Sequence, residues 1–178
     1  KPNTWRDLIA SAEYLVREKY TSPAHMAPWG GSAGGILAGR AITERPDLFG
    51  AAIIDVGSLD TIRAETTTNG VPNIKEFGTV TEEAGFQALL AMSSYNNVRN
   101  GVEYPAVMLT HGFNDPRVEP WQSGKMAARL QAATASDNPV LLRVDFQAGH
   151  GIGSTRDQYL QERADQFAFL FSQLLGRR

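Results

Sequence analysis

Cysteine is absent from this 178-residue chain, and histidine occurs only three times, as His25, His111 and His150. The lack of cysteine excludes disulfide bonds, thiol catalysis and metal sites built on thiolates. The three histidines are scattered and lack the spacing of a metal-binding motif, so neither a metal nor another cofactor is expected. No apolar run is long enough to span a bilayer, so we expect no membrane-embedded segment.

A strong charge imbalance is also missing. The chain has 17 Lys and Arg against 19 Asp and Glu, a formal net charge of −2, which gives no indication of a nucleic-acid or membrane partner. With 42% hydrophobic and 20% charged residues, the composition is that of a soluble globular protein. A chain of this length suits one domain, 1–178. Nothing in the composition assigns a cellular compartment.

Short apolar runs alternate with segments of helical periodicity along the whole chain. Strands are expected at 25–29, 51–54, 106–110 and 140–144, and helices at 4–19, 36–44, 81–92, 120–133 and from about 155 to the end. Residues 61–78 are polar and rich in turn-forming residues. The alternation predicts an α/β fold, with a parallel sheet flanked by helices and right-handed crossovers.

The most informative stretch is Gly-Gly-Ser-Ala-Gly-Gly at 30–35, between the first expected strand and a helix. Gly30, Ser32 and Gly34 form the Gly-x-Ser-x-Gly pattern of a nucleophile elbow. We expect Gly30 and Gly34 to let strand and helix approach closely, and the serine hydroxyl to lie beside the N–H groups of a helix N-terminus. A phosphate-binding loop is not favoured, because no lysine follows the glycines.

A serine nucleophile needs a base, and the base needs a third group that orients it. In α/β-hydrolases the chain order is serine, acid, histidine, with the last two in loops after later strands. His25 precedes Ser32, and His111 is expected to begin the loop where the acid belongs. His150 lies in a glycine-rich loop after the last strand and is therefore the expected base.

The acid is expected in the loop that follows strand 106–110. Asp115 lies there and is the favoured candidate. Asp145, at the end of the last strand, is its main rival, but it is so close to the histidine that its role could be confined to bracing the loop. Asp55 and Asp60 follow an earlier strand and are less well placed.

Three motifs in this order resemble the catalytic domain of prolyl oligopeptidase-family serine peptidases. They are Gly-Gly-Ser-Ala-Gly-Gly, with Arg-Pro-Asp-Leu-Phe at 45–49 behind it, Asn-Asp-Pro-Arg-Val at 114–118, and Ala-Gly-His-Gly at 148–151. The resemblance runs from about Thr4 to the carboxyl terminus. It implies an α/β-hydrolase fold without cofactor and an acyl-enzyme mechanism that cleaves peptide bonds of short peptides.

The resemblance also implies roles for individual residues. Ser32 attacks the carbonyl, His150 transfers the proton and Asp115 orients the histidine. Ala33 donates its backbone N–H to the oxyanion. Arg117 matches an arginine that binds a substrate carbonyl in the family, although a surface arginine beside the acid remains an alternative.

One departure from the family concerns proline recognition. Relatives stack a tryptophan on the substrate proline, from the segment after the second of these strands. No tryptophan occurs at 57–105 here, so strict proline specificity is not expected. Phe77 and Val118 are the candidates for lining an apolar specificity pocket.

A second departure concerns the amino-terminal side. Family members carry a β-propeller, and the first four strands of their hydrolase domain precede the helix at Thr4. This sequence has neither, so we expect a contiguous half-sheet whose nucleophile strand has an unpaired outer edge. Such a chain either self-associates as a homo-oligomer or belongs to a longer polypeptide. The sequence thus favours a peptidase, with a carboxylesterase acting on small esters and a catalytically silent assembly module as alternatives.

Overall fold

The computed structural model describes residues 3–151 and 154–176. Its described part contains a four-stranded parallel sheet. The strands follow one another across the sheet in chain order: β1 (Trp29–Gly31), β2 (Ala51–Asp55), β3 (Ala106–Gly112) and β4 (Val140–Asp145). Because the strands are parallel, the loops that follow them all emerge at one edge of the sheet. The α/β fold predicted from the alternation of elements is confirmed.

Helices cover both faces of the sheet. They are α1 (Asn3–Arg17), α2 (Gly34–Glu44), α3 (Thr61–Ala64), α4 (Gly70–Phe77), α5 (Glu83–Met92), α6 (Trp121–Ala133) and α7 (Arg156–Leu175). The larger core joins α1, α2, α5 and α6 to one face of the sheet, and the smaller core joins α7 to the other. Alternate residues of β2 and β3 point into the two cores, as they must in a strand that is buried on both faces.

Two of the expected strand boundaries were wrong. The first strand does not run over 25–29; it begins at Trp29, because Pro23–His25 forms a 3₁₀ turn and Pro28 has no N–H to donate. The third strand continues to Gly112, so His111 lies on β3 and does not begin a loop. The polar segment 61–78 also contains two helices, α3 and α4.

The strand that leads into the serine is the outermost of the sheet. Within the described part of the chain, β1 pairs only with β2, over three residues. This agrees with the expected half-sheet that ends in the nucleophile strand. Strand β1 packs closely against the start of α2 at Gly30, where a Cβ atom would lie 2.1 Å from the carbonyl oxygen of Gly34.

Only part of the expected role of the glycines is confirmed. Gly34 has open space where its Cβ atom would be. The close approach on the helix side occurs instead at Gly35, whose Cβ atom would lie 2.5 Å from the Cα atom of Gly57. The helix therefore packs against the segment after β2 through the glycine that follows the motif.

These glycines give a matched pair of stability predictions. Gly30→Ala should lower the free energy of unfolding by about 1–3 kcal/mol or more, because the added methyl group overlaps backbone that cannot move freely. Gly34→Ala should change it by no more than about 0.5 kcal/mol, because no atom outside the adjacent residues and the same helical turn lies within 4 Å of the new Cβ atom. Urea unfolding followed by circular dichroism measures both values. Equal losses in the two variants would contradict the packing argument.

Candidate active site

Ser32 occupies a strained turn between β1 and α2. Its φ of +55° is in the left-handed region, which is uncommon for a residue other than glycine. The surrounding backbone fixes this conformation: the N–H of Ser32 donates to the carbonyl oxygen of Asp55 at 2.9 Å, and its own carbonyl accepts from the N–H groups of Gly35 and Ser58, both at 2.9 Å. The turn places the side chain of Ser32 at the carboxyl edge of the sheet.

The structure brings Ser32, His150 and Asp115 into one hydrogen-bonded chain. Nε2 of His150 lies 3.0 Å from Oγ of Ser32, and Nδ1 of His150 lies 2.6 Å from Oδ2 of Asp115. The carboxylate can only accept, so Nδ1 carries the proton and Nε2 is free to take one from the serine hydroxyl. This is the geometry that general-base activation of a serine requires.

The carboxylate of Asp115 is fully buried, with 0% of its side chain exposed. Its Oδ1 atom accepts the backbone N–H groups of Arg117 at 2.8 Å and of Val118 at 3.0 Å. These bonds close the turn after β3 around the carboxylate and leave Oδ2 directed at His150. The carboxylate is thereby held in one orientation, with Oδ2 placed to accept from Nδ1 of His150.

The rival acids have other partners. Asp145 accepts the N–H groups of Gln147 at 2.8 Å and of Ala148 at 3.0 Å, so it braces the loop that carries the histidine. The carboxylate of Asp55 accepts hydrogen bonds from Thr110 and from side chains of α7. Asp60 caps α3 and accepts from Nζ of Lys125 at 2.6 Å. Of the four acids considered from the sequence, only Asp115 hydrogen-bonds to the imidazole of His150 in the described residues.

His111 is a feature of this site that the sequence analysis did not assign. It is 1% exposed, and its Nε2–H donates to the carbonyl oxygen of Val118 at 2.9 Å and faces Oδ2 of Asp115 at 3.2 Å. Burial lowers the pKa of His111, although the nearby carboxylate opposes that shift. The available signal was a histidine at the end of an apolar strand, four residues before the acid.

A cavity of about 280 Å³ lies beside the serine. Its wall includes Ser32 and each residue that the sequence analysis proposed for oxyanion or substrate binding: Ala33, Phe77, Arg117 and Val118. The sequence analysis missed the contribution of the helices at 61–78, which supply much of the remaining wall. Asn69, between α3 and α4, donates to the carbonyl oxygen of Pro116 at 2.7 Å and so connects that segment to the turn of Asp115.

Comparison with known proteins agrees with the motifs. The model of the prolyl oligopeptidase family matches residues 1–177. The chain belongs to the prolyl oligopeptidase family. It is 41% identical over 170 residues to a prolyl endopeptidase of Elizabethkingia miricola, covering 95% of this chain and 24% of that protein. It is 39% identical to a prolyl endopeptidase of Dictyostelium discoideum, covering 99% of this chain and 23% of that one.

Solved structures of the prolyl oligopeptidase family superpose on the chain. Oligopeptidase B from Leishmania major matches with a TM-score of 0.93 at 35% identity, over 98% of this chain and 24% of that one. One of two prolyl endopeptidases whose structures were analysed together matches with a TM-score of 0.90 at 39% identity, over 94% of this chain and 25% of that one. The chain thus spans about a quarter of the length of the relatives it matches, and its sheet is part of an α/β-hydrolase domain.

In this member of the prolyl oligopeptidase family, the N-terminus of α2 faces the serine. Ala33 immediately precedes the first residue of α2, Gly34, and within the described residues no carbonyl accepts the N–H of Ala33. That N–H is therefore available to an oxyanion, and the helix dipole adds a partial positive charge there. The described residues contain no group of three His, Asp or Glu side chains suited to a metal ion, and no described helix is long and apolar enough to cross a membrane.

Proposed function

We propose that this chain is the catalytic part of a serine peptidase and cleaves peptide bonds in short peptides through an acyl-enzyme intermediate. The observation that carries the proposal is the continuous chain from Ser32 through His150 to Asp115, with distances of 3.0 Å and 2.6 Å. Membership of a family of serine peptidases supports the same reaction class. We further propose that residues 1–178 all belong to one α/β-hydrolase catalytic domain.

The proposed mechanism uses the groups at the carboxyl edge of the sheet. Oγ of Ser32 attacks the substrate carbonyl while Nε2 of His150 takes the hydroxyl proton, and Asp115 stabilises the imidazolium that forms. The N–H of Ala33 stabilises the oxyanion. His150 then gives its proton to the leaving amine, and a water molecule hydrolyses the ester on Ser32 by the same proton transfers.

Substrate binding is proposed at the cavity beside Ser32. Phe77 and Val118 offer apolar surface there, and the guanidinium of Arg117 can donate to a substrate carbonyl. The same cavity also has Glu65 and Glu119 in its wall, so it is less apolar than the sequence alone suggested. Asn73 adds a further polar side chain to this wall.

Turnover of two substrates tests the proposal. We expect the natively expressed protein that contains this chain to hydrolyse both a p-nitrophenyl short-chain ester and a blocked dipeptide amide. Hydrolysis of the ester alone would instead indicate a carboxylesterase, because esters have a better leaving group. Hydrolysis of neither by well-folded protein would indicate a catalytically silent assembly module and would refute the proposal.

The outer edge of β1 bears on the size of the working protein. A parallel edge strand presents unpaired backbone groups, and the family relatives are about four times as long as this chain. We infer that further strands of a longer polypeptide complete the sheet beside β1. Intact mass spectrometry of the natively expressed protein tests this inference, and a mass of 19.4 kDa would leave self-association of this chain as the way to cover the edge.

A further inference from the structure

We propose that His111 is a positioning residue, whose imidazole fixes the carboxylate of Asp115 in the orientation that serves His150. The inference rests on the proposed function, because it concerns the same three side chains. It assigns a role to a buried histidine that does not contact the reacting atoms.

The tautomer of His111 is defined by its two neighbours. Nε2 lies 2.9 Å from the carbonyl oxygen of Val118, which can only accept, so this nitrogen carries the proton. Nδ1 lies 2.7 Å from Oγ of Ser123 on α6 and accepts a hydrogen bond from that hydroxyl. A neutral imidazole satisfies both contacts, and its Nε2–H is directed between Val118 and Oδ2 of Asp115, 3.2 Å away.

Oδ2 of Asp115 therefore faces two imidazoles. The stronger contact is with Nδ1 of His150 at 2.6 Å, and the weaker one is with Nε2 of His111 at 3.2 Å. Oδ1 is occupied by the two backbone N–H groups of Arg117 and Val118. With both side chains 0% exposed at the His111–Asp115 contact, water cannot replace a lost donor without a change in packing.

Burial favours a neutral imidazole at position 111 and lowers its pKa, although the carboxylate of Asp115 acts in the opposite direction. Asp115, on the following turn, and His150, on the loop after β4, are the titratable groups that act on it. On the neighbouring elements, β4 places Val144 opposite it and α6 contributes Ser123. A neutral imidazole can hold the carboxylate without opposing the positive charge that His150 gains during attack, whereas a cation at position 111 would oppose that charge.

Two substitutions separate this role from simple packing. His111→Phe keeps a planar ring but removes the donor, and His111→Gln keeps an N–H near the position of Nε2. We expect His111→Phe to lower kcat about ten- to a hundredfold. We also expect the acidic limb of its kcat/KM profile to move to higher pH, because an undivided charge on Oδ2 stabilises the imidazolium of His150. His111→Gln should recover most of both properties.

The control is His25→Gln, a change at an exposed histidine on the 3₁₀ turn far from the site, which should leave the profile unchanged. The inference is wrong if the acidic limb of the kcat/KM profile lies at the same pH in His111→Phe and in the wild type. It is also wrong if folded His111→Gln loses as much kcat as His111→Phe. If His111→Phe does not fold, kcat and the acidic limb of the kcat/KM profile of His111→Gln, each compared with the wild type, provide the test.

A second readout keeps this test separate from the proposed function. If the wild type hydrolyses no substrate, the proposed function fails, but ¹⁵N NMR of labelled histidine still reports on the contact. We expect the Nε2–H form of His111 in the wild type, and a titration of the His150 signal that moves to higher pH in His111→Phe. An unchanged His150 titration would overturn the inference whatever the activity.

Discussion

Replacing Ser32 with alanine should reduce hydrolysis by a factor on the order of 10⁶ in kcat, the scale on which removal of a triad serine acts. The reason is geometric, because Oγ of Ser32 is the hydroxyl within hydrogen-bonding distance of Nε2 of His150. The backbone bonds that fix the turn do not involve the hydroxyl, so the fold should persist. Alanine tolerates the positive φ no worse than serine does.

A fluorophosphonate probe makes the measurement direct. The wild type should gain one covalent adduct, mapped to Ser32 by mass spectrometry, and Ser32→Ala should gain none. Ser11→Ala removes an exposed hydroxyl on α1 and serves as the control that keeps full labelling. An adduct on another serine, or hydrolysis that survives in Ser32→Ala, would mean that the elbow does not supply the nucleophile.

The second large effect is expected for Asp115→Asn, which should lower kcat about 10⁴-fold. The asparagine oxygen can still accept the N–H groups of Arg117 and Val118, so the turn is preserved. Its amide NH₂ then faces Nδ1 of His150 and favours the tautomer with the proton on Nε2. In that tautomer Nε2 cannot take a proton from the serine.

The matched change is Asp145→Asn, in the other acid beside the histidine loop. Its oxygen can still accept the N–H groups of Gln147 and Ala148, so we expect less than a tenfold loss. Comparing kcat of the two variants on a p-nitrophenyl ester, with circular dichroism to verify folding, distinguishes the candidate acids. A larger loss in Asp145→Asn would transfer the orienting role to that residue.

Much of the candidate site could be predicted from the sequence because its signals are local. The Gly-x-Ser-x-Gly pattern marks a turn between a strand and a helix, and buried parallel strands appear as short apolar runs. Once the strands are placed, chain order alone assigns Asp115 and His150 to loops at the same edge. The hydrogen-bonded chain of 3.0 Å and 2.6 Å agrees with that reasoning.

What the sequence did not predict depends on contacts between distant segments. The close approach at Gly35 involves Gly57, on the segment after β2, and no local pattern shows which glycine of a run will face it. His111 could not be distinguished from a loop residue until β3 was seen to continue to Gly112. The helices at 61–78 are short and polar, so their sequence pattern does not predict them. Their contact with the turn after β3 is seen only in the structure.

The unequal lengths of the strands affect the order in which the segments that carry Ser32 and His150 unfold locally. The segment before Ser32 pairs over three residues, two of them glycine, whereas β3 and β4 pair over six. Packing of Trp29 against Phe167 of α7, with ring centroids 5.5 Å apart, adds the main side-chain anchor on that strand. In this chain taken alone, local opening should therefore begin at β1. Ser32 would separate from His150, and the backbone amides of β1 would exchange with solvent, while β3 and β4 remain paired.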